Sequence, residues 1–264
     1  MKAISSRHNP VVRAFRDLAR TPDATGARLL LDGVHLIRDA IAAGVELEAI
    51  GIASSRATDT EEADVARAAE AHGGRVLTAS GPAFAAMSPV RAPSGIVAIA
   101  RRTPVDADDV CGRSNGLVLI AVDVQDPGNL GSLIRAGEAG GASGVLVCGV
   151  SANPFSWKAV RGSMGSILRL PVAAGLDVEA ATRCIRTHGG RIVAAVPREG
   201  HDPDAVRWRG RVALLIGGEG AGLSKATMDL ADELVTIPMT VPVESLNVAV
   251  AAAILVYAAR RQRI

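Results

Sequence analysis

The sequence predicts an α/β protein of two domains, and three observations predict it. Apolar runs of strand length alternate with stretches of helical periodicity along the whole chain. Residues 101–116 are polar, contain Pro104 and two glycines, and show no sustained periodicity. Residues 117–124, which follow, are apolar at nearly every position, as befits a strand buried on both faces of a parallel sheet. Setting a linker at residues 106–116 gives domains of 1–105 and 117–264.

In chain order, Asn9 and Pro10 open a helix, in which Val11, Val12, Phe15, Leu18 and Ala19 recur at helical spacing until Thr21 and Pro22 end it. Strand-like runs follow at 29–31, 47–53, 75–78 and 95–100, with helical stretches around 34–43 and 61–72 between them. Beyond the linker, runs at 117–124, 144–148, 191–196, 212–216 and 234–237 alternate with helical segments, and a helix from about Leu246 to Arg261 closes the chain. A βα alternation of this kind implies a mostly parallel sheet covered by helices.

Composition narrows the function. A chain of 264 residues that is 48% hydrophobic and 21% charged can bury a substantial core. No apolar run reaches the roughly 18 to 20 residues of a membrane span; the nearest, 248–259, runs into Arg260, Arg261 and Arg263. No apolar signal region follows the basic N-terminal residues, so a cytosolic protein is expected. Cys111, Cys148 and Cys184 form no CxxC pair, and His8, His35, His72, His188 and His201 read as isolated, so neither a disulfide framework nor a metal site is expected. The basic residues are 26 Arg against 3 Lys, and the Arg fork suits phosphate. With aromatics at 2%, RNA binding would work through charge and shape instead of base stacking. Trp157, beside Lys158, reads as a partly buried core residue.

Four segments of the second domain concentrate Gly, Pro, amide and charged residues where strands end, the place at which open parallel sheets form their ligand crevice. In the first, DVQDPGNLGSLIR (123–135), a Pro127-Gly128 turn leads into a helix that Asn129 could cap, with Arg135 nearly two turns on. The second, KAVRGSMGS (158–166), puts Lys158 and Arg161 on one side of a helix. The third, LIGGEGAGLS (215–224), is a strand followed by a glycine loop that permits close approach of a ligand. Its spacing is GxGxG, not the dinucleotide GxGxxG, and no GK[ST] ends it, which excludes NAD and Walker-type readings. The fourth runs from Val235-Thr-Ile237-Pro238-Met239 to Glu244-Ser245-Leu246-Asn247, a strand, a Pro-containing loop and the entry to the last helix, with Ser245 or Asn247 near its N-cap.

In this order the four segments resemble the motifs of the SpoU/TrmH-type RNA 2′-O-ribose methyltransferases of the SPOUT superfamily. NLGSLIRAGEAGGASGV, IGGEGAGLS and IPMTVPVESLNVAVAAAI carry the likeness across 117–264. SSRHNPVVRAFRDL and LLLDGVHLIRDAI resemble the small α/β substrate-binding domain that precedes it in many members. The resemblance implies a trefoil-knotted C-terminal domain, a homodimer formed through it, and S-adenosyl-L-methionine as cofactor. By motif, Gly217, Ile237 and Leu246 would hold the cofactor through their backbone, with Glu219 and Met239 adjacent. Asn129, Arg135, Glu219, Ser245 and Asn247 would surround the reacting ribose. The expected activity is methylation of a ribose 2′-hydroxyl in structured RNA, with rRNA favoured by the added RNA-binding domain; tRNA, or RNA binding without turnover, are the alternatives. Arg135 matches the residue that the family uses to activate the hydroxyl, in a dimer toward the partner's cofactor. Arg stays protonated at accessible pH, so orienting a phosphate and stabilising oxyanion charge suit it better.

Overall fold

The computed structural model describes residues 2–58, 60–113, 116–220 and 222–263. Ser114 and Asn115 of the expected linker, Ala221 of the glycine loop and the terminal residues of the two expected domains lie outside them. The chain divides into two units, one of Met1–Pro104 with Phe155–Leu168, the other of Val105–Pro154 with Arg169–Ile264.

In the first unit, β1 (Lys2–Ile4), β2 (Arg28–Asp32), β3 (Glu46–Ala53), β4 (Arg75–Ala79) and β5 (Ile96–Arg101) form a sheet in the order β1-β4-β3-β5-β2. β1, β4 and β3 are parallel, and β5 runs antiparallel to both its neighbours. Side chains alternate across it as strand geometry requires. Leu30, Leu77, Val97 and Ile99 share a core with Val12, Phe15 and Leu18 of α1 (Pro10–Arg20) and with Phe84 and Met87 of α4 (Gly81–Met87). Buried Leu29, Leu31, Ile50 and Val76 alternate with them, and α2 (Val34–Ala42) and α3 (Glu61–Ala71) pack on this sheet and on each other. α1 begins as its sequence says: Pro10 is its first residue and the Asn9 side chain accepts the N–H of Val11 at 2.9 Å.

The second unit carries β6 (Leu117–Val122), β7 (Gly144–Cys148), β8 (Val172–Leu176), β9 (Arg191–Ala195), β10 (Val212–Gly217) and β11 (Glu233–Val235). They form one all-parallel sheet in the order β11-β9-β10-β6-β7-β8. One face, with Val118, Ile120, Leu146, Ile192 and Leu215, packs on α5 (Ala107–Cys111) and α8 (Val178–Thr187). Against the other lie α6 (Pro127–Gly140) and the last helix, α10 (Val248–Arg263). The glycines of α6 set how close these pack: a Cβ on Gly137 would sit 2.9 Å from Leu119, and one on Gly140 2.0 Å from Val256 of α10. α9 (Lys225–Met228) follows the glycine loop. Among the described residues no helix is long and apolar enough to cross a membrane.

Two findings differ from the expected division. Residues 106–116 are not a bare linker, because α5 forms there behind a capping box. The Asp106 side chain accepts the N–H of Asp109, whose own carboxylate accepts the N–H of Asp106, and Val110 and Cys111 are fully buried. Residues 155–168, assigned by sequence to the second domain, belong to the first unit. There α7 (Trp157–Gly162) packs on β2, Phe155 fills the space over Gly26, and Arg102 stacks its guanidinium 5.1 Å above the Phe155 ring while donating to the carbonyl of Ile167. Trp157 is partly buried against the core of this unit.

Candidate active site

The C-terminal ends of β6, β7 and β10 bring three loops together. Asp123 follows β6 with φ 55°, and its carboxylate accepts the N–H of Val150 after β7 at 2.7 Å. Gly218 follows β10 and donates to the carbonyl of Val122 at 2.7 Å. A Cβ on Gly218 would lie 1.9 Å from the carbonyl oxygen of Asp123, so only glycine lets the two loops touch. Gly217 has the same constraint on its other side, where a Cβ would lie 2.5 Å from backbone atoms of Gly222 and Leu223. The glycine loop is thereby folded back on the strand that feeds it, with Gly220 and Gly222 at φ 89° and 64°.

Beside this loop is a cavity of ≈ 560 Å³, within the range of small-molecule sites. Its walls include Ile216, Leu223, Val235 and Leu255, and Gly217, Glu219, Ile237, Met239, Ser245, Leu246 and Asn247 all line it. The third and fourth segments of the sequence therefore meet at one place. Gly218, Leu223 and Met228 line it too and were not singled out from sequence, although Gly218 and Leu223 stand inside the quoted glycine run.

The predicted cap of α6 is corrected. Asp126 is the N-cap, its carboxylate accepting the N–H of Asn129 at 2.7 Å, so Asn129 is the third residue of the helix and its side chain is free of capping. That side chain joins a polar trio. Asn247 caps α10, its Oδ1 accepting the N–H groups of Ala249 at 2.9 Å and Val250 at 3.3 Å. Its Nδ2 must then donate, and does so to Asn129 Oδ1 at 3.0 Å. Asn129 Nδ2 is left to donate to Glu219 Oε1 at 2.5 Å. The amide orientations follow from the cap outward, each forced by the last. Both Glu219 and Asn247 are exposed, so the trio presents its remaining lone pairs and protons to solvent at the rim of the cavity. Ser245 is exposed beside it.

Arg135 stands apart from this trio. It is exposed on α6, six residues and about 9 Å of helical rise beyond Asn129, does not line the cavity, and among the described residues has no ion-pair or hydrogen-bond partner. Lys158 and Arg161 of the second segment are exposed on α7 of the first unit.

A further group of chemically capable side chains lies between α5 and α8. Asp108, Cys184 and His188 place their ligating atoms within 4.8 Å of one another. The reading of the histidines as isolated is corrected here: Cys184 precedes His188 by four residues, one turn of α8, and the fold adds α5 to that pair.

Comparisons with known proteins point to one family. The model of the SpoU rRNA Methylase family matches residues 116–257. An uncharacterized tRNA/rRNA methyltransferase of Synechocystis is 32% identical over 99% of this chain and 94% of its own length. The 23S rRNA (guanosine(2553)-2′-O)-methyltransferase RlmP of Bacillus subtilis is 28% identical over 97% and 98%. The AdoMet-bound rRNA methyltransferase of Sinorhizobium meliloti, a solved structure, superposes with a TM-score of 0.85 at 29% identity, covering 100% of this chain and 98% of that one.

Proposed function

This chain belongs to the SpoU rRNA methylase family, and we propose that it methylates a ribose 2′-hydroxyl of ribosomal RNA. It is an RNA (ribose-2′-O-)methyltransferase with S-adenosylmethionine as methyl donor. The observation that carries the reading is the joint placement, at the C-terminal edge of a parallel sheet, of a glycine-bounded, partly apolar cavity and the Asn129–Glu219–Asn247 trio on its rim.

The cavity fits such a donor on its own features: room for a nucleoside-sized ligand, a backbone surface that glycines keep bare, and apolar walls for an adenine ring. Gly217, Ile237 and Leu246 would hold it through backbone groups, with Glu219 and Met239 adjacent. When bound, it supplies an electrophilic methyl on a sulfonium, which requires the ribose oxygen close and in line. The protein's part is positioning, which can supply much of the acceleration. Asn129, Glu219, Ser245 and Asn247 form a hydrogen-bonding rim for the ribose. Arg135, cationic at any accessible pH, orients a substrate phosphate and stabilises charge on the attacking oxygen. A phosphate oxygen of the substrate then serves as proton acceptor.

The separation of Arg135 from the cavity of its own chain supports a homodimer in which it serves the partner's site. So does α10, which exposes Val250 (48%), Ile254 (40%) and Tyr257 (47%) along one stripe. A trefoil knot in the second unit is supported by the contact of the loop after β10 with the loop after β6, and by α10 returning to pack on α6. Residues 1–105 are assigned to RNA binding, with Arg13 and Arg20 exposed on α1, and the place of action is the cytoplasm.

The test is transfer of labelled methyl from S-adenosylmethionine to total rRNA and, separately, total tRNA from a strain lacking the protein. A 2′-O-methylnucleoside in rRNA is the expected product. Label in tRNA alone would reassign the substrate, and cofactor binding with no label in either pool would leave an RNA-binding protein without turnover.

A further inference from the structure

The cluster between α5 and α8 plays no part in the chemistry above, and its composition calls for an explanation. Asp108 lies on α5, Cys184 on α8 and His188 at the C-cap of α8 one turn on, and the two helices pack together. His188 Nε2 lies 2.8 Å from Asp108 Oδ1. That hydrogen bond explains two of the three residues and leaves the Cys184 thiol beside them. Cys184 Sγ makes a long contact, 3.6 Å, to the carbonyl of Ala107.

We propose that Asp108, Cys184 and His188 form a zinc site that clamps α5 onto α8, with a fourth position open to water. The donor set is one oxygen, one imidazole nitrogen and one thiolate, which suits a borderline-soft ion of tetrahedral preference. Zinc bonds of about 2.0–2.3 Å place neighbouring donors roughly 3.3–3.8 Å apart. The three ligating atoms lie within 4.8 Å of one another and reach that spacing by small side-chain shifts, the Asp108–His188 pair opening from 2.8 Å, and Asp108, 81% exposed, is free to move. Charge supports the assignment. A carboxylate and a thiolate carry two negative charges, which a divalent ion neutralises. The Arg211 guanidinium donates to the carbonyls of His188 and Arg113 and so ties together the ends of the two helices that carry the cluster.

The experiment uses the full chain, stripped with chelator under reducing conditions and titrated with Zn²⁺ against a chromophoric chelator, with Co²⁺ as a spectroscopic probe. The expected result is one zinc per chain, a tetrahedral Co²⁺ spectrum with thiolate charge-transfer absorption, and a raised Tm. C184S and H188A should each weaken zinc binding by at least about 100-fold, ligand loss costing no less than loss of an outer-shell partner, while still binding S-adenosylmethionine as proof of folding. D108N serves as a further variant whose exposed side chain puts the fold at little risk. No zinc retained at micromolar free ion, affinity unchanged in the C184S/H188A double variant, or a Cys111–Cys184 disulfide formed where the ion should be would each overturn the proposal.

Discussion

Replacing Asn247 by Asp separates the two jobs of this side chain. Asp and Asn cap helices about equally well, and a negative charge at a helix N-terminus adds roughly 0.3–1 kcal/mol. The hydrogen bonds from Ala249 and Val250 therefore survive in Asn247→Asp, and so should stability. The other oxygen, however, now faces Asn129 Oδ1 where an N–H stood, acceptor against acceptor. Asn129 must turn its amide, and its oxygen then meets the Glu219 carboxylate in place of the donor seen here. A hydrogen bond to a charged group contributes about 1.5–3 kcal/mol. Because the trio is open to water in the free protein, the lower part of that range applies, about 1.5–2 kcal/mol, or about 10- to 30-fold in kcat/KM. Asn247→Ala is the control. It loses the cap as well, about 1 kcal/mol, or roughly 2–4 °C in Tm for a chain of this size. The assay pairs steady-state methyl transfer to rRNA with thermal denaturation. Asn247→Asp with kcat/KM within about twofold of the native protein, or with a Tm as low as that of Asn247→Ala, would refute the argument that the cap dictates the orientation of the trio.

Three further expectations follow from named contacts. Arg135→Ala should leave the fold and cofactor affinity intact and abolish methyl transfer, since the side chain touches neither cavity nor core; calorimetric titration and the transfer assay check the two halves, and full retained activity would overturn its role. Gly218→Ala drives a Cβ into the Asp123 carbonyl, a backbone atom with little room to yield. It should cost about 1–3 kcal/mol of stability and weaken S-adenosylmethionine binding at least about tenfold, both visible in a thermal-shift titration. Asp32→Asn should stabilise the protein at neutral pH. Burial raises the Asp32 pKa above 3.8, more than the Ser88 and Ser94 hydrogen bonds and the Arg161 charge lower it, so the ionised form is the disfavoured one in the fold. The penalty is fully present above the folded-state pKa and vanishes below 3.8, and a Tm difference that fails to shrink over that descent would contradict the assignment.

What could be read from the sequence divides by physical origin. Elements with a strong local signal stood out: α1 by its Asn9-Pro10 opening, and β6, β7 and β10 by apolar runs that a fully covered parallel sheet demands. Two strands escaped. β1 is a three-residue edge strand, and β8 is an edge strand that contains Gly175 and is buried only at its start, so neither shows the run or the alternation of a longer strand. α5 was hidden by its polar composition, although its Asp106-Asp109 box is a legible cap. At the site, the glycine loop and the entry to α10 were legible as motifs because backbone approach and capping restrict residue type locally. The bond from Asn129 to Glu219 joins residues 90 apart in sequence, and the membership of 155–168 in the first unit depends on Phe155, Gly26 and Arg102 meeting in space. No local pattern encodes either. Cys184 and His188 were different, since their spacing of one helical turn was present in the sequence and acquires meaning only once α5 supplies Asp108.

The most direct test of ribose methylation of rRNA is mass-spectrometric nucleoside and fragment mapping of rRNA from otherwise identical cells with and without this protein. The account predicts that one 2′-O-methylnucleoside present in the first is unmethylated in the second and is restored by the native chain but not by Arg135→Ala. An rRNA whose 2′-O-methylation is the same in both, or a lost modification that sits on a base and not on the ribose, would contradict it.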